Sequence, residues 1–294
     1  MKLDNQVALI TGAGRGIGRA IAMAFARQGA DLALVARTAS ELEETARRIR
    51  VADPLQGTAG HRVVAVTADV SQRADVERAV GQARETFGRV DVLVNNAGVQ
   101  PPIGPLWQND ADEWMRAVAV NLFGPMLCIK AVLPGMMERK RGKIINLSGG
   151  GATGPRPNFG AYAASKAALV RLTETLAEEL EPHNIQVNAL APGAINTRML
   201  DEVLAAGELA GAELAQAQRR AERGGTSIER AAQLAVFLAS ADSDGLTGKL
   251  IAAPHDDWRD WDAARIAALN ESPWYTLRRI DPFTVKPLVM TKDE

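Results

Sequence analysis

Tyr162 and Lys166 are spaced i, i+4, so a helix carrying them presents a phenol and an ammonium on one face. A free phenol titrates near ~10, too high for a base at neutral pH. A nearby ammonium favours the phenolate and lowers that value. Such a tyrosine can take a proton from an alcohol or give one to a carbonyl. Ser148, upstream, can hydrogen-bond the same oxygen and stabilise charge developing on it. A plainer reading stays open for an isolated pair: a surface tyrosine beside an ordinary helix charge.

A second group of residues points to a nucleotide. Thr11-Gly12-Ala13-Gly14-Arg15-Gly16-Ile17-Gly18 follows the apolar run Val7-Ala8-Leu9-Ile10 and opens a helix-period segment. Glycines let the backbone turn tightly and approach a pyrophosphate. A helix N-terminus supplies free N–H groups and the positive end of the dipole. Glycine alone also makes plain turns, and the strand–turn–helix context gives the pattern its meaning. At the end of the second apolar run, an acid would bond a ribose 2′-hydroxyl and repel a phosphate. The chain has Val35-Ala36-Arg37-Thr38 there, with no acid. Arg37 is placed to pair with a 2′-phosphate, and Arg15 can add a second charge, since guanidinium suits phosphate bidentately. NADP(H) is therefore expected, with NAD still possible. The other reading makes both arginines solvated loop charges.

These residues need elements to hold them. Apolar runs at 7–10, 32–35, 63–66, 92–94, 143–147 and 185–190 read as strands, most of them apolar on both faces. A parallel sheet covered by helices demands that pattern. Helix-period segments lie between them at roughly 16–28, 39–51, 72–87, 112–138, 160–181 and 227–239. The alternation predicts an α/β fold with a doubly wound parallel sheet and helices on both faces. A closed α/β barrel also alternates, but the first glycine-rich turn weighs against it.

The set of motifs, in this order, resembles the short-chain dehydrogenase/reductase family. The residues that carry the resemblance are Thr11 to Gly18, Asn95-Asn96-Ala97-Gly98, Asn121, Ser148, Tyr162 with Lys166, Pro192-Gly193 and Thr197. It covers about residues 5–251. The resemblance implies a Rossmann sheet of about seven strands and an oxidoreductase interconverting a secondary alcohol and a ketone. It implies that Asn121, Ser148, Tyr162 and Lys166 are catalytic. Lys166 would also contact the nicotinamide ribose, and Asn121 would support a water chain to Lys166. Asp69-Val70 resembles the adenine-contacting position, although Asp69 with Ser71 also suits a helix N-cap. Thr11 and Asn95 would brace the sheet near the cofactor, and Ala97, Gly98, Pro192, Gly193 and Thr197 would line it. Gly124-Pro125 makes a bend near Asn121 plausible on its own. The resemblance also implies dimers or tetramers through 112–138 and 160–181.

Composition narrows the field. Of 294 residues, 47% are hydrophobic and 23% charged, an ordinary balance for a globular chain. Lys+Arg is 34 against Asp+Glu 35, so no basic excess favours nucleic acid or an anionic membrane. One cysteine, Cys128, excludes an intrachain disulfide, and His61, His183 and His255 lack metal-ligand spacing. No apolar run was expected to reach the ~20 residues of a membrane span. With no leader-like start, a cytoplasmic chain without a metal is expected. Its partner would be a small carbonyl or alcohol.

Departures from the family pattern concern substrate. Ser148 is followed by Gly149-Gly150-Gly151, a loop that either approaches substrate closely or is mobile. Residues 198–226 read as exposed helix. One catalytic domain is expected over 1–253, with an extension at 254–294 packed on it. That extension holds Trp258, Trp261, Trp274, Tyr275 and Phe283, too much aromatic area to leave in water. It is expected near the substrate cleft, where Trp258 and Trp261 line a mouth, plug a subunit contact or simply pack. Arg278-Arg279 can meet an anion or stay solvated. A nucleotide-binding redox sensor remains the non-enzymatic alternative, and an NAD-preferring dehydrogenase the enzymatic one.

Overall fold

The computed structural model describes residues 1–51 and 62–280. Residues 52–61, His61 among them, and the part of the extension that includes Phe283 lie outside the described residues. Strands β1 (Val7–Thr11), β2 (Asp31–Ala36), β3 (Val63–Thr67), β4 (Val92–Asn95), β5 (Gly142–Leu147), β6 (Ile185–Ala191) and β7 (Leu250–Ala252) form one parallel sheet. Its order is β3-β2-β1-β4-β5-β6-β7. The sheet is open, so the closed barrel is excluded. Every residue of β1 and β4 is buried, as strands covered on both sides must be. The edge strand β3 is half-exposed.

Helices α1 (Gly16–Arg27), α2 (Ala39–Val51) and α9 (Ile228–Ala239) cover one face. Ile21, Phe25, Leu234 and Leu238 bury there against Ile10 and Leu34. Helices α3 (Arg73–Phe87), α5 (Gly124–Glu138) and α6 (Gly160–Leu180) cover the other. Strand order reverses between β1 and β4. In open α/β sheets a ligand crevice forms beyond the carboxyl ends of the strands at such a point.

The single helix expected over 112–138 is divided. Helix α4 (Ala111–Val118) begins with the Asp110 carboxylate accepting the Glu113 N–H at 2.9 Å. A π-helical turn, Ala119–Phe123, then leads into α5. Pro125 has no N–H to return to the Asn121 carbonyl, which removes one α-helical bond at the point where the turn widens. The run Ala111–Glu138 is long and apolar enough to cross a membrane by length and composition, with mean hydropathy 1.7 over its best window. That corrects the expectation that no such run exists. In this fold Val120, Ile129, Val132 and Met136 are buried in the core of that face.

Residues 198–226 are not simply exposed. They form α7 (Arg198–Ala206) and α8 (Ala212–Arg223), and Leu200, Val203, Ala210 and Ala217 pack with Phe159 and Tyr162.

The extension also departs from expectation. It leaves β7 beside the cleft, where Pro254 lies against Gly193. Its tryptophans then turn away from the cleft. Trp258 and Trp261 are buried against Phe237 of α9, with ring centroids 5.6 and 6.4 Å away. The apolar side of α9 offers these rings a dry surface on which to bury. After α10 (Ala263–Asn270) the chain crosses the outer edge of β7, where the Tyr275 carbonyl accepts the Leu250 N–H at 2.7 Å. Around Leu277 it lies against α6, where Glu174 accepts the Leu277 N–H at 2.5 Å and pairs with Arg278 at 3.8 Å.

Candidate active site

The glycine turn is shaped by close contacts. Gly12 has φ +65°, and a Cβ there would meet the Asn96 amide at 2.7 Å. A Cβ on Gly18 would meet the Gly12 carbonyl at 2.2 Å, so this helix start tolerates only glycine. Gly14 is pressed against Glu41 in the same way. Ile17 packs partly on the core, and Gly16 faces the Thr197 methyl. Arg15 is the N-cap of α1 in extended conformation, and its side chain makes no capping hydrogen bond. The first N–H groups of α1 are thus left for an outside acceptor.

Thr11 ties this turn to the end of β4. Its hydroxyl accepts the N–H groups of Asn96 and Ala97 at 3.0 and 3.1 Å. Asn95 donates to Asn146 at 2.9 Å, and Asn146 donates to Thr173 of α6. The chain of amides fastens β4, β5 and α6 together.

Arg37 lies 4.0 Å from Asp69, so these two predicted residues meet, at the ends of β2 and β3. Asp69 accepts both the N–H and the hydroxyl of Ser71. It does not cap α3, whose N-cap is Gln72. Val70 is buried against Gly124. Arg15 forms an ion pair with Glu41 at 3.0 Å. Pro192 is buried, and Gly193 at φ +85° turns the chain so that Thr197 reaches the glycine turn.

The residues expected to be catalytic converge at the ends of β4 and β5. Asn121, fully buried in the π turn, accepts the Val99 N–H at 2.9 Å and donates to the Val99 carbonyl and the Ser165 hydroxyl. Gly98 runs beside Asn121 and Lys166. The Lys166 ammonium is buried and donates to the Leu147 carbonyl at 2.7 Å. Burial pulls its pKa down to about 8. Tyr162 is buried as well, and burial pushes its phenol up from the ordinary value. The nearby Arg156 charge opposes that rise, while Glu213 adds to it. The ammonium lies 5.7 Å from the Tyr162 ring centroid. Desolvation is the largest influence on the phenol, above the opposing charge of Arg156.

The glycine run after Ser148 has a defined role in packing. A Cβ on Gly149 would lie 2.1 Å from the Tyr162 hydroxyl, so the phenol rests directly over that backbone. The Ser148 hydroxyl next to it is buried with no hydrogen-bond partner among the described residues. A buried hydroxyl without a partner is an unmet polar group that a ligand oxygen would satisfy. The glycine cradle and open helix start suit a dinucleotide pyrophosphate. The residues present thus fit both ends of the proposed ligand pair.

Three residues of this region escaped sequence reasoning. Arg156 forms a two-point ion pair with Glu213 of α8, both contacts at 2.5 Å. Its guanidinium lies 3.9 Å from the Phe159 ring centroid and 5.2 Å from that of Tyr162. Gln100, with its amide oxygen turned inward, accepts from Arg156 at 2.7 and 3.0 Å. In sequence Arg156 sits between two prolines like any loop charge, and no local spacing ties it to Glu213.

This sheet and this constellation define a dinucleotide-dependent oxidoreductase fold. The profile of the short chain dehydrogenase family matches residues 6–207, and the chain belongs to that family. It is 41% identical over 258 residues to Oxidoreductase UcpA of Salmonella typhimurium, covering 84% of this chain and 92% of that one. It is 40% identical over 253 residues to the short-chain reductase protein NovJ of Streptomyces niveus, with the same coverage. The structure of NAD+-bound xylitol dehydrogenase superposes with TM-score 0.77 at 30% identity, covering 86% of this chain and 98% of that one. Levodione reductase gives TM-score 0.77 at 30% identity, covering 88% and 100%.

Lys166 supplies a test independent of any substrate. The folded state holds its proton less tightly than the unfolded chain, whose lysines titrate near the usual 10.5. Unfolding therefore takes up a proton between pH 8 and 10.5, and the folded state gains stability as pH rises through that window. Wild type should gain up to ~3 kcal/mol relative to Lys166→Met across it. Denaturant unfolding at a series of pH values measures the difference.

Proposed function

We propose that this chain is an NADP(H)-dependent oxidoreductase that interconverts a secondary alcohol and a ketone, with Tyr162 as the acid/base. The observation that carries the reading is the Tyr162 hydroxyl lying over Gly149, with the unpartnered Ser148 hydroxyl beside it. A bound nicotinamide dinucleotide supplies or accepts the hydride. Thr11 to Gly18 hold its pyrophosphate, while Asp69, Val70, Asn95, Ala97, Gly98, Pro192, Gly193 and Thr197 line its length.

Within this reading Ser148 donates to the substrate oxygen and orients it. Tyr162 gives its proton to that oxygen in reduction and takes it back in oxidation. The buried Lys166 ammonium favours ionisation of the phenol and holds the ribose. Asn121 is a positioning residue, fixing Ser165 and the Val99 backbone around the pair. A redox sensor would need the glycine turn but none of these four, so the enzymatic reading is preferred. Tyr162→Phe should lower turnover by ~10²–10⁴, with cofactor affinity nearly unchanged in a fluorescence titration. Near-normal turnover would overturn the assignment.

The preference for NADP(H) rests on Arg37, half-exposed at the end of β2 with no acid beside it on that strand. The NAD reading has its own support, because Arg15 is already engaged by Glu41 and Arg37 lies 4.0 Å from the Asp69 carboxylate. Arg37→Asp should shift the ratio of kcat/KM toward NAD, removing a phosphate partner and adding repulsion. An unchanged ratio would make Arg37 a surface charge only.

The enzyme is further proposed to be a homodimer. Met115, Phe123 and Met126 are exposed along the run from α4 to α5 whose other side is buried. Exposed apolar patches of this kind mark association surfaces. Sedimentation velocity at micromolar concentration should show a species of twice the chain mass or a multiple of it, and a monomer would refute the proposal.

A further inference from the structure

We propose that Arg156 and Glu213 are positioning residues for Tyr162, an opposed charge pair in which the guanidinium favours the ionised phenol and the carboxylate limits that effect. The proposal rests on the acid/base reading of Tyr162 and deepens it.

The geometry supports it in three ways. Arg156 is almost buried, with 14% of its side chain exposed, and its guanidinium lies over the Phe159 and Tyr162 rings. A cation in that position is fixed by Glu213 at two points and by Gln100 on a third side, so its charge cannot swing into water. The two partners come from different elements. Arg156 belongs to the loop after β5 that carries Gly149, and Glu213 to α8, above the site.

Few other charges compete. Among the described residues, the charged groups facing the phenol are Lys166 from α6, Arg156 from the loop and Glu213 from α8. Leu200 and Val203 of α7 meet the same cluster with apolar side chains. Lys166 is turned to the Leu147 carbonyl. Arg156 is thus the cation whose influence a partner directly opposes. Burial pushes the phenol up, Arg156 pulls it down and Glu213 returns part of that pull. In a water-poor site such charges act with little screening.

The two partners therefore have opposite signs of effect, which separates this role from mere bracing. If the pair only held α8 down, removing either partner would loosen the same contact with the same result. If it sets the phenol, Arg156→Gln must make Tyr162 harder to ionise and Glu213→Gln must make it easier. The chain contains two tyrosines, Tyr162 and Tyr275. Titration of protein labelled with carbon-13 at the tyrosine ζ position reads both by NMR, and Tyr275→Phe assigns them. Far-UV circular dichroism defines the pH range in which the fold persists. Relative to wild type, the Tyr162 midpoint should rise by about one pH unit in Arg156→Gln and fall by a similar amount in Glu213→Gln. The double variant should lie near wild type, and Arg156→Lys, which keeps the charge, should lie below Arg156→Gln. Shifts of the same sign in the two single variants, or no shift in Arg156→Gln, overturn the proposal. The titration follows the phenol whether or not it handles substrate protons, so its failure leaves the Tyr162→Phe test of the enzymatic reading untouched.

Discussion

A lysine ammonium buried to 3% exposure and held by one carbonyl is the constraint around which this site is built. An unpaired buried charge is costly, so Lys166 needs the Leu147 oxygen at the end of β5. That bond fixes the rotation of α6 on the sheet. One turn earlier on the same helix, Tyr162 is brought over Gly149, which follows Leu147 by two positions. The glycine leaves space for the hydroxyl to descend onto the backbone. Ser148, between the two in sequence, is buried with its hydroxyl unpartnered among the described residues.

The rest of the fold serves the same junction. Asn95, Asn146 and Thr173 form a buried relay of hydrogen bonds from β4 through β5 to α6. Thr11 joins β1 to the backbone after β4. Asn121 then closes the far side by bonding Val99 and Ser165 together. These are polar groups placed in a dry interior, where each needs its partner and so specifies one register.

How much of this was legible in the sequence depended on distance along the chain. The strands and the main helices were readable because each is a local pattern: apolar on two faces for β1 and β4, apolar on one for α1 and α9. The catalytic candidates were readable because Tyr162 and Lys166 share a helix face and the glycines share a turn. Contacts between remote segments were not. The Arg156–Glu213 pair joins residues 57 apart, and nothing in either neighbourhood marks the other. Within 112–138 the bend near Gly124-Pro125 was readable, but the π turn was not, since it accommodates Asn121, whose partners Val99 and Ser165 lie on other segments. Trp258 and Trp261 were correctly read as packed, whereas Trp274, expected to pack with them, is 45% exposed. The destination of the first two is a contact with Phe237 of α9, a residue remote in sequence that no local pattern pairs with them.

The path of the extension across β7 has a further consequence. An exposed edge strand offers unpaired N–H and C=O groups to any passing strand. Here the Leu250 N–H is taken by the Tyr275 carbonyl, and the segment continues outward to Glu174. The molecule has capped its own sheet with its own chain. Strand-to-strand growth into a continuous intermolecular sheet is obstructed on that side, and any neighbour approaching there meets the extension before it meets β7.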